Sequence, residues 1–152
     1  MSMLNYFYDN DLVRIYEEDP KDWREALKIS SENLVSKKII GNKYVDEIIS
    51  NVEANGAYIV IVPGVVMPHA LATSSNVYDT GISFSKFKNP IYFESDNDEK
   101  QGKLFFTLAA KDENQHLKNI QNLMDLLLKD DIIEKLSNID SMEDYLKIMN
   151  EF

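Results

Sequence analysis

The chain has 152 residues, 44% hydrophobic and 28% charged, and its 16 basic and 26 acidic side chains leave a formal net charge of −10. This length suits a single domain over residues 1–152 with a buried core. The charge disfavours nucleic-acid binding, and no apolar run is long enough to predict membrane insertion. The absence of cysteine excludes disulfides, thiolate catalysis and sulfur-ligated metals, and favours a cytoplasmic location.

The first third of the chain is predicted to form a strand and two helices. Residues 12–17 have the pattern of a strand, at an edge of its sheet. Asp19 or Asp22 can cap a helix that begins near Trp23, and we interpret this single tryptophan as a core anchor rather than a ligand platform. A second helix is predicted over residues 44–54, and the Asn-Gly pair after it is typical of a helix end.

The most informative stretch follows that helix. Residues 58–62 read Tyr-Ile-Val-Ile-Val, which predicts a strand buried on both faces. A Pro-Gly pair ends this strand, and a short apolar run over residues 65–67 leads to Pro68 and His69. Because Pro68 restricts the backbone around it, His69 is held just beyond a core strand, where open α/β sheets often place their chemistry. The alternative is that His69 only packs near a turn.

Three hydroxyl side chains come shortly after His69. Thr73, Ser74 and Ser75 are close enough in sequence to bring their hydroxyls to an anionic group held at that histidine, such as a phosphoryl group. The alternative, favoured for at least two of the three, is a solvated loop in which the hydroxyls bond to nearby backbone.

Two further strands are predicted in the second half of the chain. Residues 80–87 alternate as a half-buried strand does, an Asn-Pro pair breaks them, and residues 91–93 continue as a short extended piece. Residues 94–102 predict a surface loop whose acidic groups do not fit the spacing of a calcium loop. Residues 103–110 then predict the second strong core strand.

A helix is predicted directly after that strand. Asp112 and Gln115 have the spacing of a capping box, which places His116 near the end of the first helical turn. Taken alone, His116 is equally well explained as a surface histidine at a helix start. Two short helices follow, over residues 132–136 and 142–150, the second capped by Ser141.

The two histidines of the chain each follow a strong predicted strand. If the two strands are neighbours in one sheet, His69 and His116 converge on a single crevice although they are far apart in sequence. A neutral imidazole is a suitable phosphoryl acceptor near neutral pH, and a second imidazole can donate a hydrogen bond to the phosphoryl oxygens. Two histidines without cysteine make a poor zinc site, so no metal or other cofactor is predicted.

The segment from Gly56 through Pro63-Gly64 to Pro68-His69-Ala70 resembles the active-site stretch of enzyme IIA components of the bacterial phosphoenolpyruvate-dependent sugar phosphotransferase system. The resemblance is to the mannitol/fructose-type fold and its ascorbate-like branch, and it extends over about residues 22–152. It implies an α/β fold with a single mixed β-sheet of about five strands flanked by helices on both sides.

The same resemblance implies a function. His69 would accept a phosphoryl group from the histidine-containing phosphocarrier protein HPr and pass it to enzyme IIB of a sugar permease, and His116 would orient and stabilise that group. Two features depart from the family pattern. Leu71 stands where ascorbate-like relatives often have arginine, and no arginine lies between Arg24 and His69. Lys111 is the nearest candidate for the missing cation.

Two other functions are compatible with the same residues. One is a regulatory module of this fold, whose phosphorylation state controls a protein partner. The other is a relative without phosphoryl transfer that only binds proteins. A fused DNA-binding module is disfavoured because the chain has no basic helix-turn-helix segment.

Overall fold

The computed structural model describes residues 2–70 and 74–152, and its centre is a five-stranded mixed sheet. The strands are β1 (Val13–Ile15), β2 (Val60–Val62), β3 (Gly64–Val66), β4 (Gly81–Tyr92) and β5 (Gln101–Ala109). Their order across the sheet is β1-β4-β5-β3-β2. β5 is therefore central, antiparallel to β4 and parallel to β3. The outer strands are β1, parallel to β4, and β2, antiparallel to β3.

Helices lie on both faces of this sheet, as the predicted α/β fold requires. They are α1 (Met3–Asp9), α2 (Trp23–Ser36), α3 (Asn42–Asn55), α4 (Glu113–Leu127), α5 (Ile132–Ser137) and α6 (Met142–Glu151). The predicted single mixed sheet of about five strands with flanking helices is confirmed. Helix α1 was not predicted at all. Within the described residues, no helix is both long and apolar enough to cross a membrane.

Side-chain caps explain where three of the helices begin. Asp22, Asp112 and Ser141 each accept a hydrogen bond from the backbone N–H three residues later. These bonds satisfy N–H groups that have no partner within their helix. Of the two aspartates considered for α2, Asp22 is the cap, whereas Asp19 accepts hydrogen bonds from the backbone N–H groups of Lys88 and Asn89 in β4.

Aromatic rings fill the core on the two faces of β4 and β5. On one face the Phe84 ring stacks on Phe106 at 4.9 Å between centroids and contacts Tyr145 of α6 at 6.0 Å. On the opposite face Trp23 stacks on Phe93 at 5.7 Å. The interpretation of Trp23 as a core anchor is confirmed. Both faces of the central strands are closed by helices, which fixes the ends of the strands as the places where chemistry can reach solvent.

The prediction of a buried strand over residues 58–62 is wrong. Only the last three of these residues form a strand, β2, and it lies at the border of the sheet with Ile61 36% and Val62 42% exposed. Pro63 and Gly64, the latter at φ +97°, reverse the chain in a tight turn instead of leading it out of the sheet. The chain after this turn forms β3, and β3 takes the inner position beside β5.

The prediction of a half-buried strand over residues 80–87 needs a similar correction. The two predicted pieces are one strand, β4, with a register shift between Lys86 and Ile91 that accommodates the Asn-Pro pair. The polar side chains Ser83, Ser85 and Lys86 are buried rather than solvated. Alternation does not indicate exposure here because helices cover both faces of the strand.

Candidate active site

His69 lies just after β3, on a backbone that continues alongside β5. The N–H of Leu108 donates to the Pro68 carbonyl at 2.9 Å, so the pairing of the two strands extends past the end of β3. β3 and β5 are parallel, and their carboxyl ends therefore meet at one edge of the sheet. The sequence analysis required the strand before His69 to lie next to the strand before His116. This holds for β3, and not for the strand predicted over residues 58–62.

The orientation of the His69 ring is set by two contacts with nearby backbone and side chain. Its Nδ1 lies 2.7 Å from the Met67 carbonyl oxygen. A carbonyl can only accept, so Nδ1 carries the proton and Nε2 keeps its lone pair. The Tyr58 ring meets the imidazole edge-on at 5.5 Å, and its hydroxyl donates to the carbonyl oxygen of His69 at 3.0 Å.

The second histidine comes from the first turn of α4. Asp112 caps this helix through Gln115, and the N–H of His116 donates to the Asp112 carbonyl at 3.0 Å. The centroids of the His116 and His69 rings are 5.5 Å apart, with the ring planes at 47°. Both rings are half-buried. The predicted convergence of the two imidazoles is confirmed.

Hydrogen bonds to the neighbouring strand ends hold the first half of α4 in place. The Asn119 amide donates to the Ala109 carbonyl at 3.3 Å, which ties the helix to the end of β5. The Thr80 hydroxyl contacts the Gln115 amide oxygen and accepts the Lys111 N–H at 3.2 Å, which ties it to the start of β4. The position of His116 therefore depends on strand ends that also surround His69.

Burial makes both imidazoles poor proton acceptors. It lowers the pKa of the His69 imidazole below the ordinary histidine value, and the bond to the Met67 carbonyl opposes that shift in part. Burial also lowers the pKa of His116, and the charge on a protonated His69 lowers it further. Since two cations at this distance repel, protonation of either ring disfavours protonation of the other. The lowered pKa values favour the neutral form of both rings near pH 7.

These shifts predict a pH dependence of stability. The unfolded chain binds protons at its histidines with a pKa of about 6.5, whereas the folded chain binds them only at lower pH. The free energy of unfolding should be fully retained above that value and should fall as the pH decreases below it. NMR titration of the two rings, with urea unfolding between about pH 8 and 5, measures both effects. A His69 pKa at or above the ordinary value would contradict the prediction.

The structure bears differently on each of the three hydroxyl side chains predicted near His69. The Ser74 hydroxyl donates to the Glu47 carboxylate at 2.7 Å and accepts the Asn76 N–H, which matches the loop interpretation. Ser75 is exposed. Thr73 lies outside the described residues. Lys111 is exposed at the turn before α4, and its role as the supporting cation stays a prediction.

Two tyrosines contact the His69 segment and were missed by the sequence analysis. Tyr58 was assigned only to a strand, and Tyr44 only to the start of a helix. The Tyr44 hydroxyl accepts the Ala70 N–H at 3.0 Å and donates to the Leu108 carbonyl at 2.8 Å. Neither contact leaves a local signal in sequence, because each joins residues that are distant along the chain. Among residues 2–70 and 74–152, no group of three or more His, Cys, Asp or Glu is placed to hold a metal ion.

Comparisons with a family model and with individual known sequences agree on one family. Residues 6–152 match the family described as "Phosphoenolpyruvate-dependent sugar phosphotransferase system, EIIA 2", so the match begins earlier than the resemblance over about residues 22–152. The chain is 33% identical over 150 residues to the mannitol-specific cryptic phosphotransferase enzyme IIA component of Escherichia coli K12, covering 99% of each protein. It is 35% identical over 117 residues to the ascorbate-specific EIIA component of Salmonella typhi, covering 76% of this chain and 73% of that protein.

Comparison with solved structures gives the same fold. The solution structure of the E. coli mannitol-specific cryptic enzyme IIA superposes with a TM-score of 0.81 at 32% identity, covering 100% of both chains. A complex of E. coli mannitol enzyme IIA with phosphorylated enzyme IIB contains a chain that superposes with a TM-score of 0.76 at 18% identity, covering 93% of this chain and 96% of that one. At that identity the second likeness shows the fold alone.

Proposed function

The chain belongs to the EIIA 2 family of the phosphoenolpyruvate-dependent sugar phosphotransferase system, and from that membership we propose that it is a phosphocarrier using His69 and His116. His69 accepts a phosphoryl group from HPr and passes it to an enzyme IIB. The observation that carries this proposal is the meeting of the two imidazoles, 5.5 Å between centroids, at the edge of the sheet.

The attacking atom is Nε2 of His69. Its lone pair is free because the ring proton sits on Nδ1, in the bond to the Met67 carbonyl. A bond forms between Nε2 and the phosphorus while the bond from phosphorus to the donor imidazole nitrogen breaks, and that nitrogen takes back its electron pair. In transfer to enzyme IIB, the bond from phosphorus to Nε2 breaks while a bond forms between phosphorus and the acceptor atom of IIB, and Nε2 takes back its electron pair. His69 neither gains nor loses a proton in either step, and its Nδ1–H stays in place throughout.

The role of His116 is to stabilise the transferred group. Phosphoryl transfer places most of its charge on the oxygens around phosphorus, and it requires positioning and charge stabilisation more than covalent chemistry. A ring N–H of His116 can donate a hydrogen bond to one of those oxygens, since the two rings lie 5.5 Å apart. The start of α4, a helix of 15 residues, adds partial positive charge beside the same crevice.

Low proton affinity of both rings supports the acceptor role. A protonated His69 has no lone pair at Nε2 and cannot attack, so a lowered pKa keeps the nucleophile available at cytoplasmic pH. The proposal includes a cytoplasmic location and a single functional domain over residues 1–152. Enzyme IIB as the acceptor is supported by the complex in which a protein of this fold is paired with phosphorylated IIB.

The test is transfer of phosphoryl from radiolabelled phosphoenolpyruvate through enzyme I and HPr. We expect an acid-labile, base-stable label on this protein, dependent on HPr, and loss of that label when a cognate IIB is added. Parallel chases with purified mannitol-type and ascorbate-type IIB proteins identify the acceptor. Absence of label, or an acid-stable label, would contradict the proposal.

A further inference from the structure

The pairing between β3 and β5 is interrupted at His69. In a regular parallel ladder, one residue bonds through its N–H and its C=O to the two residues that flank its partner. Leu108 makes the first of these bonds, to the Pro68 carbonyl at 2.9 Å. The second would join the Leu108 carbonyl to the N–H of Ala70. The Tyr44 hydroxyl stands between these two groups, donating to the carbonyl at 2.8 Å and accepting from the N–H at 3.0 Å.

The inserted hydroxyl replaces one strand-to-strand bond with two bonds in series. The chain is therefore held farther from β5 at His69 than a direct bond would hold it. Pro68 weakens the pairing at the same place, because it has no N–H to offer to the ladder. The chain leaves the sheet at His69, between Pro68 and Ala70. At this point the His69 side chain contacts the first turn of α4.

The hydroxyl is suited to a fixed bridging role. Tyr44 comes from α3, a separate element, and only 2% of it is exposed. Burial raises the pKa of Tyr44 to about 12, so the hydroxyl keeps its proton and can donate and accept at once. The hydrogen bonds of His69 with Met67 and Tyr58 come from the same hairpin and would move together with it. Tyr44 ties the segment to α3 and, together with the bond between the Leu108 N–H and the Pro68 carbonyl, to β5.

We propose that Tyr44 is a positioning residue for His69: its hydroxyl, inserted between Ala70 and Leu108, sets how far the histidine stands from the sheet and hence its alignment with an incoming phosphoryl group. This inference rests on the proposed phosphocarrier function. Tyr44 itself touches neither reacting nitrogen nor phosphorus. Its effect passes through the backbone on the C-terminal side of His69.

The test compares Tyr44→Phe with a matched control, Tyr145→Phe. Tyr145 is fully buried as well, and its hydroxyl donates to the Leu4 carbonyl at 2.8 Å, away from both histidines. Each variant removes one buried hydroxyl that bonds to backbone and keeps the ring. We expect Tyr44→Phe to lower kcat for phosphoryl acceptance from HPr roughly ten- to a hundredfold with little change in KM, since misplacement of about 1 Å has effects of that size. We expect Tyr145→Phe to retain the wild-type rate.

Two NMR measurements report on His69 without any transfer assay. In Tyr44→Phe the pKa of His69 should rise towards its ordinary value as the segment becomes hydrated, and the Ala70 amide should exchange with solvent faster. In Tyr145→Phe neither should change. In the wild-type protein the Tyr44 hydroxyl proton should be observed directly, with a nuclear Overhauser effect to the Ala70 amide proton, which tests the bridge even if the variants fold poorly.

The outcomes separate this inference from the proposed function. If the wild type is labelled and Tyr44→Phe matches Tyr145→Phe in kcat and in the pKa of His69, the inference is overturned and the phosphocarrier function stands. A missing hydroxyl signal at Ala70 in the wild type overturns it as well. If the wild type takes no label, the proposed function fails first, whatever the tyrosine variants do.

Discussion

The His69→Ala variant should take no acid-labile phosphate from phosphorylated HPr, while the wild type is labelled fully. The physical reason is that alanine removes Nε2, the nitrogen whose lone pair is left free by the bond between Nδ1 and the Met67 carbonyl. The measurement is incorporation of radiolabel at saturating HPr, with acid and base treatment of the product. The expected change is from full labelling to background.

Retained folding must be shown for this variant. His69 is half-buried, so its removal leaves a small gap but no unpaired buried charge, and the variant should unfold cooperatively at pH 8, where lowered proton affinity favours the neutral form of the remaining His116. Its stability should also depend less on pH below 6.5 than that of the wild type, since one of the two shifted histidines is gone. A label that persists in His69→Ala and disappears only when His116 is also replaced would move the acceptor to His116.

The His116→Ala variant should still accept phosphoryl from HPr but should pass it to enzyme IIB about a hundredfold more slowly, the usual effect of losing one donor to a developing negative charge. The ring of His116 lies 5.5 Å from that of His69, close enough to share a phosphoryl group bound between them. Single-turnover transfer from the isolated phosphorylated protein to IIB measures this step apart from acceptance.

The His116→Gln variant is the matched control for the kind of support that His116 gives. Glutamine keeps an N–H donor but carries no ring and no positive charge. Recovery of most of the transfer rate by glutamine would identify the hydrogen bond as the source of the effect, and no recovery would show that the imidazole ring itself is required. Equal transfer rates for wild type and His116→Ala would show that His116 has no part in the reaction.

The pairing of the two histidines could be predicted from sequence because it depends on local patterns. Asp112 and Gln115 have the spacing of a helix cap, and the cap fixes His116 in the first turn of α4. Pro68 beside a short apolar run places His69 at the end of a strand. Each pattern spans only a few residues, and the convergence follows once the two strands are neighbours in the sheet.

The predictions that were wrong concern features that depend on how the strands are arranged in the folded sheet. Residues 58–62 have the composition of a central strand, but the tight turn at Pro63 and Gly64 folds the chain back so that β3 takes the inner place. Ser83 and Lys86 alternate with apolar residues as surface groups do, yet both are buried in the folded protein. The bridge made by Tyr44 joins residues 64 positions apart and leaves no periodic signal.

The two borders of the sheet bear on how the protein behaves in a crowded solution. β1 and β2 are strands of only three residues each, and Pro63 beside β2 has no N–H to offer to a neighbour. A second copy that added itself to either border would gain few backbone bonds, and the net charge of −10 repels it. Both borders of the sheet are therefore poor templates for the addition of strands from further copies of the chain.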